Sequence, residues 1–317
     1  MGFLRILGSR RARIAFNVVS AVVAVGVGLV TARHFVNHGW PLGHANVFGV
    51  VAAGGLFLAA FGFKAWGWQL LFHGEDRPKT YALAAAGGAA SVTGLALPGR
   101  CDEVVRIAVV RKFPGHGCGF GSVCLSLFLL GLVDNAALAP FASVAAGISA
   151  HSSLVRAALI VVGVSGVGAA LVVAFLPRLG RVRHVVKYRF GRWITQHAAS
   201  PRAATKSWAL VLVSWALRAL AVFVLLDALT LHTSISLALG FLVASASAAA
   251  LPIAPAGGAA QAGAGAAILT AAGVGTSKAI AFAVAAQGLI VLTGAVILVL
   301  TVSLHLAHRL RAVPVAI

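Results

Sequence analysis

Long apolar stretches separated by short polar loops run along the chain, at about 14–36, 45–72, 80–97, 118–148, 154–176, 207–229, 233–251, 256–272 and 277–304. A helix needs about 20 apolar residues to cross roughly 30 Å of hydrocarbon, and most of these stretches reach that length. Two differ from a plain span. The stretch from Thr80 to Leu97 is short and runs into Pro98 and Gly99, while that from Ser234 to Leu251 runs into Pro252, followed by Pro255, Gly257 and Gly258. Proline lacks the backbone donor and its ring clashes with the preceding turn, so the pattern predicts a helix break at each place.

The two breaks resemble one another. Ala90-Ser91 stands before Leu97-Pro98 at the same spacing at which Ala244-Ser245 stands before Leu251-Pro252. Interrupted apolar segments at corresponding places in two halves point to an internally repeated transporter with its site where the broken helices meet. If each broken segment dips into the bilayer and returns to the same side, the spans near 118–148, 154–176 and 207–229 separate the two hairpins. An odd number of spans makes them enter from opposite faces. The expected fold is therefore all-α: one transmembrane domain over residues 1–317, with six full spans plus two re-entrant broken-helix hairpins, and an inverted repeat as the arrangement the pattern suggests.

Composition agrees and excludes the soluble classes. Of 317 residues, 60% are hydrophobic and 10% charged, with a mean hydropathy of +0.99; no water-exposed surface can be built from that. The first apolar stretch follows Arg5, Arg10, Arg11 and Arg13 and is longer than the apolar core of a signal peptide, so it reads as a retained span. The net charge of +19 would suggest nucleic acid in a soluble protein. Here 18 of the 25 Lys and Arg fall on one side when the N-terminus is placed inside, with three (Arg33, Arg156, Lys278) outside. That asymmetry predicts a multi-pass protein of the plasma (inner) membrane with both termini cytoplasmic. Anionic lipid head groups, rather than nucleic acid, are the expected partners. The most basic stretch, 177–206, interleaves Arg178, Arg181, Arg183, Lys187, Arg189 and Arg192 with Val, Phe, Tyr and Trp, and reads as an amphipathic helix on the inner leaflet.

Candidate chemistry concentrates in a few ionisable residues. Six are acidic: Glu75, Asp76, Asp102, Glu103, Asp134 and Asp227. Charge within the apolar layer costs several kcal/mol, so it persists where it pairs or lines a polar cavity. The densest group, Arg100, Asp102, Glu103 and Arg106, follows the first break. Freed amides at a helix start and two guanidinium groups suit a lipid phosphate, with Asp102 or Glu103 holding the arginines. Glu103 and Arg106 are spaced to face each other on a helix. Asp134 stands mid-span, with Arg106 or Arg218 as expected partners or a role in proton coupling. Lys64, beside Trp66 and Trp68, is expected to snorkel toward the interface, and Asp227 to do likewise. The three cysteines (Cys101, Cys118, Cys124) lack metal or disulfide spacing, and the 11 histidines lack carboxylate companions. Neither a metal nor a cofactor is expected. Gly119-Phe120-Gly121 and Gly263-Ala264-Gly265 lack the lysine of a phosphate loop and suit close helix packing.

The run Leu97-Pro98-Gly99-Arg100-Cys101-Asp102-Glu103-Val104-Val105-Arg106, then Asp134, then Leu251-Pro252-Ile253-Ala254-Pro255-Ala256-Gly257-Gly258 up to Gly273-Val274, resembles the transmembrane region of the lysylphosphatidylglycerol synthases, a family of flippase-like proteins. The resemblance implies a polytopic bundle with re-entrant elements that moves a polar-headed (phospho- or glyco-) lipid between leaflets. It would place the head group at Arg100, Asp102, Glu103, Arg106, Asp134 and Arg218. Members fused to an aminoacyl-transferase domain also make the lipid; this chain carries no such domain, so enzymatic synthesis is not expected. Where family members carry a Glu-Arg pair before the aspartate, this chain has Leu130-Gly131. Gln261 and alanines stand where an acidic residue follows the Gly-Gly turn, and Gln287 where an Arg is common. The first break thus keeps its charges and the second is depleted. The alternative to transport is a membrane subunit that positions a partner, such as a lipid-linked glycosyltransferase or synthase, through the 177–206 segment.

Overall fold

A computed structural model describes residues 45–73, 77–96, 101–112, 118–148, 153–179, 199–250 and 257–311, with a few isolated positions including Leu42 and Trp193. The described residues form nine helices and no strand: α1 (Val47–Gln69), α2 (Thr80–Ala96), α3 (Cys101–Lys112), α4 (Phe120–Ile148), α5 (Ser153–Leu179), α6 (Pro201–Ala228), α7 (Ile235–Ala250), α8 (Gly257–Ala271) and α9 (Thr276–Arg311). Within them Val47–Gln69, Phe120–Ile148, Val155–Leu176, Pro201–Ala228 and Thr276–His305 are long and apolar enough to cross a bilayer. These are five of the six expected spans; the sixth, at 14–36, lies outside the described residues, as do Pro98, Gly99, Arg100, Pro252, Pro255 and most of the basic 177–206 segment. The protein is a polytopic helical bundle.

Local chemistry sets the helix ends. The Asn46 side chain accepts from the amides of Phe48 and Gly49, and that of Ser200 from the amide of Ala203, each satisfying donors that a helix start leaves without partners. Pro201 opens α6, where its missing N–H costs nothing. The large side chains of Phe48, Val161, Val164, Val167 and Leu300 project outward, which suits a surface facing lipid tails.

Between helices, small residues let backbones approach. The most extensive packing is α1 against α6, and it is antiparallel. The Asn46 amide donates to Ala228 O (2.8 Å), Ser214 Oγ donates to Ala60 O (2.8 Å), and a Cβ on Gly67 would lie 3.0 Å from Val211 and 3.2 Å from Ser207 O. Likewise a Cβ on Gly88 of α2 would meet the carbonyl oxygen of Gly294 on α9. Trp68 Nε1 donates to Ser126 Oγ (3.1 Å), tying α1 to α4 inside the core. Trp193, from the basic segment, packs its ring against Gly121 in the first turn of α4.

Each expected break separates two packed helices. α2 packs along α3, and α7 along α8; Gly94 lies beside Asp102, and Gly265 beside Phe241 and Ser245. With α2 and α3 about 25 Å and 18 Å long, neither arm matches a full span. The second hairpin has similar arms.

The two halves repeat with a fixed offset. A shift of 154 residues, the separation between the hydrogen-bonded Ala60 and Ser214, carries Ser91 to Ser245 and Pro98 to Pro252. It also carries the cap Asn46 to the cap Ser200 and the first residue of α1 to the first residue of α6. The starts of α2, α3 and α4 land within one or two residues of those of α7, α8 and α9. Contacts follow the same exchange: α1–α2 is matched by α6–α7, α2–α3 by α7–α8, α3–α4 by α8–α9, α2–α9 by α7–α4, and α1–α9 by α6–α4. Because the equivalent helices α1 and α6 run antiparallel, the repeat is inverted. Among the described residues α5 has no counterpart.

Candidate functional site

The polar centre lies where α1, α4 and α6 meet. Lys64 Nζ is 2.9 Å from Asp134 Oδ2, with the two side chains 19% and 25% exposed. Asp134 Oδ1 accepts from Trp215 Nε1 at 3.0 Å. Both carboxylate oxygens thus have donors, as a charge held deep among apolar helices requires. The Trp215 ring lies under two cations: Lys64 Nζ 5.8 Å from its centroid, and the Arg218 guanidinium 5.0 Å away. Arg218 also covers the Phe61 ring at 5.5 Å. Such contacts attract a cation without neutralising it, and among the described residues Arg218 has no carboxylate at ion-pair distance.

α3 supplies the next charges. Arg106 reaches Asp102, one turn before it, at 3.6 Å, with 28% and 30% of the side chains exposed. Its Nε is buried and has no hydrogen-bond partner among the described residues. Lys64, Arg218 and Asp134 are joined through the Trp215 ring and indole, with Arg106 near enough to act on Lys64 and Asp134 electrostatically. Glu103 is half-buried on the same helix.

Of the expected site residues, Asp102, Arg106, Asp134 and Arg218 converge here, with Glu103 beside them on α3. Arg100, Pro98, Gly99, Pro252 and Pro255 lie outside the described residues; Gly257 and Gly258 open α8. Two expectations change. Lys64 does not snorkel: it turns inward to pair with Asp134, because an aspartate buried one helix away stabilises the ammonium more than a partial reach for water. Asp134 takes Lys64 and Trp215 as its direct partners, in place of Arg106 or Arg218. Arg106 ion-pairs with Asp102, one of the two acidic residues expected to hold it. Asp227 is exposed at the end of α6 and accepts from Thr233 Oγ1. Sequence reasoning missed Trp215 and Phe61, although an aromatic residue precedes each cation by three positions, Phe61 before Lys64 and Trp215 before Arg218.

Lys64 and Arg218 are themselves equivalent under the 154-residue repeat, as are Phe61 and Trp215. Ala60 and Ser214, also equivalent, touch one another; two equivalent residues in contact mark the pseudo-twofold axis. Asp134 has no acidic counterpart, since the repeat brings it to Gly288. The site is thus two repeat-equivalent cations and two repeat-equivalent aromatic rings, of which Lys64 and Trp215 bond one carboxylate. Among the described residues no three His, Cys, Asp or Glu side chains converge.

No curated protein and no solved structure matches the chain. A family does, over residues 17–299, nearly the whole length and all of the helices that build this centre. By that match the chain belongs to the family of the lysylphosphatidylglycerol synthase TM region.

Proposed function

We propose that this protein is a lipid flippase-like carrier that binds a polar-headed lipid at the α1–α4–α6 centre and passes its head group between leaflets, without chemical change to the lipid. One observation carries this reading: two cations, Lys64 and Arg218, and a hydrogen-bonded carboxylate are gathered where the equivalent helices of an inverted repeat cross. Ionisable groups that deep persist mainly on substrate paths, and inverted repeats with broken helices hold transporter sites at their mutual interface. Alternating access follows if the α2–α3 and α7–α8 hairpins rock about that axis. In the plasma membrane, with Lys79 and Lys112 facing the cytoplasm, the first hairpin opens inward and the second outward. Anionic lipids are the natural substrates of a centre with this many cations.

The test is a leaflet-resolved translocation assay in proteoliposomes, with fluorescent phosphatidylglycerol as the probe. Wild-type protein accelerates its exchange over protein-free vesicles, and Arg106→Ala abolishes most of the gain. Equal rates in protein-free and protein-loaded vesicles, or in wild type and Arg106→Ala, would remove the proposal.

A further inference from the structure

The repeat gives Lys64 and Arg218 a relationship that neither residue shows alone. α1 and α6 cross where Ser214 Oγ meets Ala60 O. Lys64 lies four residues beyond Ala60 on α1, and Arg218 four residues beyond Ser214 on α6. Because the helices are antiparallel, those steps of about 6 Å run in opposite directions along the membrane normal. One cation therefore stands on each side of the crossing. Helical side chains lean toward the N-terminus of their own helix, so both reach back toward the axis and flank the same Trp215 ring, at 5.8 Å and 5.0 Å. Among the described residues, the carboxylate bonded into this centre is Asp134. In this structure it holds Lys64, and among the described residues Arg218 rests on the Phe61 and Trp215 rings without a carboxylate at ion-pair distance.

We propose that Lys64 and Arg218 are two equivalent stations for a single lipid phosphodiester, one on each side of the bilayer midplane, and that Asp134 is the counter-ion they share. This rests on the translocation reading above and specifies its substrate class. With the phosphate at Arg218, Asp134 neutralises Lys64 through the ion pair present in this structure. As the phosphate moves to Lys64, Asp134 turns to Arg218. The cluster's charge stays balanced at each end, and no bare cation or bare phosphate is left in the apolar layer. A guanidinium at one station and an ammonium at the other makes the outer or inner half, depending on orientation, the tighter holder, since the guanidinium binds phosphate through two parallel bonds.

The experiment uses full-length protein in vesicles carrying either fluorescent phosphatidylglycerol or fluorescent monoglucosyl diacylglycerol, which has the same anchor but no phosphate. Lys64→Gln and Arg218→Gln, each compared at equal amounts of monodisperse protein, lower phosphatidylglycerol exchange by about tenfold or more, the worth of one charged hydrogen bond. Exchange of the glucosyl lipid falls much less in either, so the ratio of phosphatidylglycerol to glucosyl-lipid exchange drops. The double variant Lys64→Arg/Arg218→Lys keeps both charges, tests the stations without emptying either, and retains exchange near the wild-type level. The stations are overturned if either glutamine variant exchanges phosphatidylglycerol like wild type, if both lipids slow equally, or if the charge-conserving double variant falls as far as the glutamine variants. Each of those results leaves translocation standing, whereas a wild-type protein that moves neither lipid removes both ideas. Uptake of labelled inorganic phosphate into the same vesicles would show that the stations serve the free ion and overturn the lipid assignment.

Discussion

Lys64 and Asp134 meet at 2.9 Å across the α1–α4 contact, although 70 residues separate them in sequence. A half-buried pair of this kind stabilises less by its presence than it destabilises when broken, because removing one partner leaves the other charge stranded. Asp134→Leu is accordingly expected to lower stability by about 3 kcal/mol, with Lys64→Met similar. The double variant Lys64→Met/Asp134→Leu recovers most of the loss. Thermal unfolding of the detergent-purified protein, followed by size-exclusion chromatography of the surviving fraction, orders the three. A double variant weaker than both singles would show that the pair is not the relevant contact.

Trp215 performs two tasks that substitutions separate. Its indole Nε1 donates to Asp134 Oδ1, and its ring supports Arg218 and Lys64. Trp215→Phe removes the donor and keeps a ring; Trp215→Leu removes both. The Phe variant is expected to lose about 1 kcal/mol from the missing hydrogen bond, and the Leu variant a further loss from cavity and cation contact. In the phosphatidylglycerol assay Phe should retain partial exchange and Leu little. Equal behaviour of the two would mean that the ring face contributes nothing to the site.

Much of this organisation was legible in the sequence, for reasons that differ by residue. Span positions follow from apolar length, and the breaks from Pro98 and Pro252, because both are local rules. The repeat was visible in Ala-Ser and Leu-Pro, yet its mates Asn46 and Ser200, or Lys64 and Arg218, differ in residue type and share only a role: cap with cap, cation with cation. Their equivalence emerges when helix starts and the Ala60–Ser214 contact fix the offset. The partner of Asp134 was not readable: the sequence points to Arg106 or Arg218, while the choice of Lys64 depends on which helices abut. Lys64 was misread for a similar reason. Its neighbours Trp66 and Trp68 suggest an interface, but Trp68 is buried, bonded to Ser126 on α4, and the same rotation of α1 turns Lys64 inward.

Helix approach through glycine makes a paired prediction about packing. A methyl group on Gly88 runs into the Gly294 carbonyl on α9, a backbone atom that cannot turn aside, whereas one on Gly62 meets nothing within 4 Å. Gly88→Ala is expected to destabilise by about 2 kcal/mol through overpacking. Gly62→Ala gains up to about 1 kcal/mol from helix propensity. Thermal unfolding of the two single variants measures the contrast, and a harmless Gly88→Ala would mean that α2 and α9 are not in backbone contact.

The inverted repeat also fixes which loops face which side, and this can be read chemically. If each hairpin returns to the side it left, residues flanking α2–α3 share one compartment and residues flanking α7–α8 share the other. Single cysteines at Lys79, Lys112, Thr233 and Gly275, placed in a background with Cys101, Cys118 and Cys124 replaced by alanine, sample the four flanks. Charge asymmetry predicts Lys79 and Lys112 inside, and on that prediction a membrane-impermeant maleimide added to intact cells labels positions 233 and 275 and spares 79 and 112. Permeabilisation should then expose the second pair. The result is sensitive to each hairpin separately: one that crossed the bilayer outright would split its own two flanks between compartments, giving one labelled and one protected site. Labelling of all four positions from a single side would remove the inversion, and with it the symmetric placement of Lys64 and Arg218 about the midplane.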